Sequence, residues 1–238
     1  MKLLAFGDVH SPEYLPILTS SLKRTKLDSV QLVLIAGDVV KRGDYRMCAP
    51  VEKTLRNYLP NVEIVAVFGN EDYPEVRDKM RDECTEIRWL DDEYVRLSLI
   101  LETIVLGTTG VLDRPTRWQL KNVPEIVKIY NERIIWLSRL LESLPQGKLT
   151  LLLTHYPPRS KTLTGEPPEA WDEMSSRRLT EVLIHRPVDV VVHGHLHYSV
   201  VHRDVIGSVP VYNVALPATR NVSIIDLKPT GLTQWLSY

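Results

Sequence analysis

The sequence predicts an α/β fold with largely parallel strands, and three observations lead there. Short apolar runs rich in Val, Ile and Leu recur along the 238 residues. Amphipathic helical patterns fill most of the gaps between them. A strand that is apolar on both faces must be covered on both, and alternating strands with helices achieves this. After Val192 the pattern changes to closely spaced strand-like runs, so one domain over residues 1–238 with two sheets is the economical organisation.

Residues 3–6, 32–36, 64–68, 149–153 and 188–192 are the apolar runs, the last broken only by Asp189. Their length and β-branched content suit strands buried on both faces. Between the first two, residues 12–26 place Leu15, Leu18 and Leu22 on one helical stripe, with Pro12 suited to the first turn. Residues 47–59 and 74–82 are shorter helix candidates. Residues 94–99 and 103–106 read as a hairpin. The longest helix is expected over 123–144, where Arg133 interrupts an otherwise apolar stripe, and another over 175–185. Strands at 198–203, 209–214, 222–227 and 232–236 then form a β meander.

Composition narrows the function. A formal net charge of −1 lacks the electrostatic footprint of a dedicated nucleic-acid binder. Cys48 and Cys84 are the only cysteines and read as two isolated thiols, neither a disulfide scaffold nor a zinc site, which suits a reducing cytoplasm. No apolar stretch approaches the ~20 residues of a membrane span. The apolar start before Asp8 is too short for a signal-peptide core. The expectation is a cytoplasmic protein without membrane attachment; a homo-oligomer is compatible with it.

The polar residues that follow the runs carry the chemistry. In open α/β sheets ligands collect at the carboxyl ends of strands. There the sequence offers Asp8, His10, Asp38, Asn70, His155, His195 and His197. Imidazoles, carboxylates and one amide without thiolates suit Mn²⁺, Fe, Zn²⁺, Co²⁺ or Ni²⁺ rather than Ca²⁺ or a structural zinc. Seven ligands exceed the needs of one ion; a bridging carboxylate would give each of two ions four. Two ions ~3.5–4 Å apart clamp a phosphate and activate water near neutral pH.

The order of these residues resembles the calcineurin-like metallophosphoesterase superfamily. Its D-x-H, G-D, G-N-H-D/E, H and G-H-x-H signature aligns with Asp8-Val9-His10, Gly37-Asp38, Gly69-Asn70-Glu71-Asp72, His155 and Gly194-His195-Leu196-His197. The resemblance implies a four-layer α/β/β/α sandwich of two mixed sheets, the β-rich end supplying the second. It assigns Asp8, His10 and His197 to one metal, Asn70, His155 and His195 to the other, and Asp38 to both. Asp38, Asn70, Glu71 and Asp72 are thereby expected at the catalytic centre. Two divalent ions, Mn²⁺ favoured, would supply a metal-bound hydroxide for in-line attack on a small phosphate ester. His193 would lie behind the ligands or below the site. A phosphodiesterase is the favoured reading; a phosphomonoesterase or protein phosphatase and a non-catalytic scaffold of the same fold are the alternatives.

Two departures bear on specificity. Glu71 stands where the signature has histidine. A glutamate beside two cations stays ionised, cannot donate a proton and repels a dianionic monoester more than a monoanionic diester. The other reading turns it onto Arg77 or another base. Relatives carry N-P-G-S near Asn213, where this chain reads Asn213-Val214-Ala215-Leu216. Arg220, shortly after, either forks onto phosphate oxygens or stands on the surface. Arg114, Arg117 and Trp118 precede the longest helix and are candidates to close over substrate, opposite a proline-rich loop at 156–171. Burial of Trp118 and Trp171 against helices or in a dimer interface is the alternative.

Overall fold

The computed structural model describes residues 1–145 and 147–227. Strands β1 (Lys2–Phe6), β2 (Val30–Ala36), β3 (Glu63–Val67) and β4 (Arg88–Leu90) run parallel in one sheet. The other sheet holds β5 (Glu93–Ser98), β6 (Glu102–Thr108), β7 (Leu149–Thr154), β8 (Val190–His193), β9 (Arg203–Ile206) and β10 (Val209–Asn213). Its order is β5-β6-β7-β8-β10-β9, with antiparallel pairs at both edges and parallel pairs between. The last described strand, β11 (Ser223–Asp226), returns to the first sheet and pairs antiparallel with β1.

The strands are apolar throughout because their alternate residues serve two cores. Leu4, Phe6, Val33, Ile35 and Ile64 face outward onto α1 (Leu15–Arg24), α2 (Cys48–Tyr58) and α3 (Arg77–Glu83), packing with Leu18, Leu22, Val51, Leu55 and Met80. Their neighbours Leu3, Ala5, Leu32, Leu34 and Val65 face inward and meet Val105, Leu151, Leu153, Val190 and Val192 of the other sheet. On the far side Leu106, Leu152 and Val191 pack with Leu137 of α5 (Ile126–Ser143) and with Leu179 and Leu183 of α6 (Arg177–His185). Helix, sheet, sheet and helix therefore stack in four layers, as expected. Each such side chain taken from water contributes about 1.5–3 kcal/mol, which makes the strand layers the rigid part of the molecule.

Several expectations need correcting. Pro12 lies before α1, outside its first turn; Pro16 takes the early helical position instead. The meander does not exist as drawn: β10 runs parallel to β8, β9 begins at Arg203, and β11 leaves for the first sheet. The expected strand at 232–236 lies outside the described residues. The segment following Thr116 forms a short helix, α4 (Arg117–Asn122), closed by a capping box in which Thr116 and Gln119 satisfy each other's backbone N–H. A last short helix, α7 (Leu216–Thr219), precedes β11. Most consequential, Cys48 and Cys84 are joined in a disulfide that ties α2 to the end of α3. That removes the argument for a reducing compartment drawn from two unlinked thiols.

Candidate metal centre

The candidate ligands sit where the strands end, and the backbone there is unusual. Asp8, His10, Asp38 and His195 have φ of 56°, 40°, 49° and 73°. This left-handed region costs a side-chain-bearing residue of order 1 kcal/mol, and such residues gather where function over-determines them. The turns also run close together. A Cβ at Gly69 would collide with Asp38 Oδ1, and one at Gly194 with Asp8 Oδ2.

Two groups of donor atoms result. Asp8, His10 and His197 offer atoms all within 4.8 Å of one another, and so do Asp8, Asp38 and His155. In the first group His197 Nε2 lies 2.8 Å from Asp8 Oδ1 and 3.4 Å from His10 Nε2. In the second, His155 Nδ1–H donates to the Ala36 carbonyl at 2.9 Å. Its Nε2 then faces Asn70 Oδ1 at 3.0 Å and Asp38 Oδ2 at 3.6 Å. Asp38 Oδ1 is occupied by the Glu71 backbone N–H, at 2.7 Å. The free Oδ2 therefore faces both groups, lying 3.8 Å from His10 Nε2. His195 closes the second group from the side: its ring centroid is 5.0 Å from that of His155, and its backbone N–H donates to Asp8.

Charge in the site is balanced by protons in positions that cations would take. Asp8 and Asp38 are buried, and among the described residues no Lys or Arg pairs with either. Burial and the charge of Asp8 push the Asp38 carboxyl up to about 7. For Asp8, burial acts upward, but the His197 hydrogen bond and the surrounding histidine charges outweigh it and hold it well below the usual carboxylate range. His10 is drawn down by burial and more strongly up by Glu71, Asp38 and Asp8, reaching about 9. Burial keeps His155 low and His195 well below the ordinary imidazole value, so both stay neutral. Neutral His155 has already committed its one N–H, leaving lone pairs pointed at lone pairs. The donor set, with its carboxylates balanced only by protons on His10 and His197 that a cation would displace, fits divalent metal ions.

Around this core the other expected residues divide. Glu71 turns its carboxylate onto His10 Nδ1 (3.3 Å) and the Arg42 backbone N–H (3.0 Å), not onto Arg77, whose guanidinium pairs with Asp91. The His10 hydrogen bond outweighs partial burial and lowers its pKa, so Glu71 is ionised. Asp72, expected at the catalytic centre, instead accepts the backbone N–H groups of Val39, Val40 and Gly69. It is fully buried and holds the Asp38 and Asn70 loops in register, without reaching the open site. His193 is also fully buried, with Nε2 3.1 Å from the Thr162 hydroxyl and Nδ1 2.9 Å from the Gly194 carbonyl, behind the other histidines.

Of the expected substrate contacts, Trp118 reaches the site. It stacks on Tyr73 (centroids 6.0 Å, interplanar 22°) above a cavity of about 280 Å³ lined by Asn70, Glu71 and His195. Arg114 is taken up by Glu173 at 3.0 Å, and Arg117 is exposed at the start of α4. Arg220 lies over Tyr14, whose ring is 6.2 Å from that of His10, at the opposite rim. Sequence reasoning missed Tyr156, buried against His155 and His195 with its hydroxyl bonded to Gln119. The interrupted stripe did signal Arg133, whose Nε–H is shared between the two Asp92 oxygens at 2.6 and 2.8 Å and whose Nη1 donates to the Gly110 carbonyl.

Residues 1–199 match the calcineurin-like phosphoesterase family. The chain belongs to that family. No curated protein sequence matches it. Solved structures of the same fold include a phosphopantetheinyl hydrolase (PptH) from Mycobacterium tuberculosis, at 16% identity and TM-score 0.71 over 97% of both chains. TT1561 of Thermus thermophilus follows at 13% identity and TM-score 0.60, over 95% of this chain and 99% of that one. A 5'-nucleotidase precursor, also from Thermus thermophilus, aligns at 12% identity and TM-score 0.57, over 97% of this chain but 52% of its own. The family hydrolyses phosphate esters, and the site carries candidate ligand groups for a dinuclear metal centre. No helix among the described residues is long and apolar enough to cross a membrane.

Proposed function

We propose that the chain is a dinuclear-metal phosphodiesterase. Asp8, His10 and His197 would hold one divalent ion, Asn70, His155 and His195 the other, and Asp38, which faces both donor groups, would serve both. Mn²⁺ is the favoured ion. When bound, the pair supplies Lewis acidity, drawing charge from the phosphate oxygens and lowering the pKa of water.

The chain's own groups prepare this chemistry. The Ala36 carbonyl fixes the His155 tautomer so that its lone pair points inward. Glu71 does the same for His10 through Nδ1. The Glu71 N–H, bonded to Oδ1, reserves Oδ2 of Asp38 for the site. Trp118 and Tyr73 cover the mouth against water and bind the organic part of the ester.

The observation that carries the diester reading is the ionised Glu71 carboxylate at the site's edge. It donates no proton to a leaving oxygen, and it disfavours a dianion more than a monoanion. The test supplies Mn²⁺, Ni²⁺, Co²⁺, Fe²⁺ or Zn²⁺ separately to metal-free protein. Bis(4-nitrophenyl) phosphate, 4-nitrophenyl phosphate and a phosphopantetheinyl ester are the substrates, the last because the similar hydrolase of equal span bears that name. Two bound ions and a diester kcat/KM at least about tenfold above the monoester value are expected. Two ions with monoester hydrolysis alone would sink the diester assignment, and no metal binding would sink the whole reading.

A further inference from the structure

Beside the metal centre a second cavity, of about 160 Å³, opens against Gly69 and Asn70. Trp118, Val123, Ile126 and Ile129 make its walls apolar. Thr109 and Tyr130 also line it, 6% and 2% exposed; the Thr109 hydroxyl has no hydrogen-bond partner among the described residues, and the Tyr130 hydroxyl has Gln119 and Tyr156 beside it. Gln119 and Tyr156, beside Tyr130, are bonded to each other at 2.9 Å. Two guanidiniums border the space, but each is matched: Arg77 by Asp91 and Arg133 by Asp92. The cavity is thus apolar, without unmatched charge, and ends in the unmet hydroxyl of Thr109 next to that of Tyr130.

Its size and position identify what it takes. A mainly apolar cavity of about 150 Å³ accepts a benzene-sized group. A buried hydroxyl without a partner is a cost that a ligand's polar atom removes. Asn70, Trp118, Gln119 and Tyr156 line this cavity and also the mouth containing Glu71 and His195, so one molecule can occupy both.

We propose that this cavity is the subsite for one ester arm of the substrate. The arm is an uncharged, compact, mainly apolar group of about benzene's size, bearing a hydroxyl, carbonyl or amide that meets Thr109 and Tyr130. Its role as an ester subsite rests on the phosphoesterase reading of the adjoining centre; the cavity's own preference does not.

Two measurements separate those claims. In the first, metal-free protein carrying ¹³C-labelled isoleucine methyls is titrated with benzyl alcohol. Saturable shifts at Ile126 and Ile129 are expected, lost in Ile129→Trp and at least about threefold weaker in affinity in Tyr130→Phe or Thr109→Val, each variant first checked for an intact methyl spectrum. Shifts elsewhere, or none, overturn the cavity's preference. In the second, calorimetry compares methylphosphonate, benzylphosphonate and 4-(hydroxymethyl)benzylphosphonate on Mn²⁺-loaded protein. Benzylphosphonate should bind at least about tenfold tighter than methylphosphonate, and that ratio should fall to about one in Ile129→Trp. Binding of all three with equal affinity overturns the subsite while leaving the metal centre standing. Failure of the protein to bind Mn²⁺ at all overturns the phosphoesterase reading and the ester role with it, whatever benzyl alcohol does.

Discussion

Glu71→Gln removes one charge beside the metal centre while keeping an oxygen able to accept from His10 and Arg42. In the parent, the carboxylate contacts His10 Nδ1 at 3.3 Å, and the ring carries that contact through to the metal side. For a bound phosphate taken at roughly 7 Å from the carboxylate, one extra unit of substrate charge costs about 0.6 kcal/mol at the dielectric of water and about 2.4 kcal/mol at an effective value of 20. The monoester-to-diester ratio of kcat/KM should therefore rise about 3- to 60-fold in the variant, centred near tenfold. The assay runs 4-nitrophenyl phosphate and bis(4-nitrophenyl) phosphate side by side with metal content confirmed, and repeats at high salt, where the effect shrinks. If Glu71 serves only to orient His10, both substrates fall together and the ratio stays put. An unchanged ratio with both ions bound refutes the electrostatic argument for diesters.

Asp38→Asn should lose at least one ion and nearly all activity, because Oδ2 faces both donor groups; elemental analysis of the purified variant checks it, and a fully loaded, active variant refutes the bridge. His193→Ala should keep both ions and lose ~10–100-fold in activity, since it touches Thr162 and Gly194 and no donor group; anomalous scattering from a metal at His193 would refute this. Metal binding should release protons. His10, raised to about 9, is protonated in metal-free protein at pH 7.5, and Asp38, at about 7, is partly so. Apparent affinity should accordingly rise about tenfold per pH unit for each displaced proton and level off above about pH 9. Calorimetry in buffers of different ionisation enthalpy counts those protons; a pH-independent affinity would contradict the assigned ligands. Reducing the Cys48–Cys84 bond, which spans 36 residues, should cost on the order of 3–4 kcal/mol, read as a lower Tm after reduction in denaturant and refolding with thiols blocked.

Strand positions and the candidate donor residues at their ends were legible in the sequence because both are local. An apolar run such as 32–36 is apolar on both faces wherever it is placed, and Gly37-Asp38 follows it along the chain. The alternation of Leu32, Val33, Leu34 and Ile35 between two cores was already present in the run. The interruption by Arg133 was visible too, though its partner Asp92, 41 residues earlier, was not. What tertiary structure decided is everything that depends on which segments become neighbours. β11 left the predicted meander because the edge of β1 offered it a ladder of unpaired N–H and C=O groups. Cys48 and Cys84 met because α2 and α3 pack on the same face of the first sheet. Asp72 clamps two loops because the backbone N–H groups of Val39, Val40 and Gly69 converge on it. Glu71 chose His10 over Arg77 because Asp91, 14 residues after Arg77, had taken that guanidinium. Residue type and local periodicity determine what a side chain can bind; the long-range packing of strands and helices determines which partner is within reach.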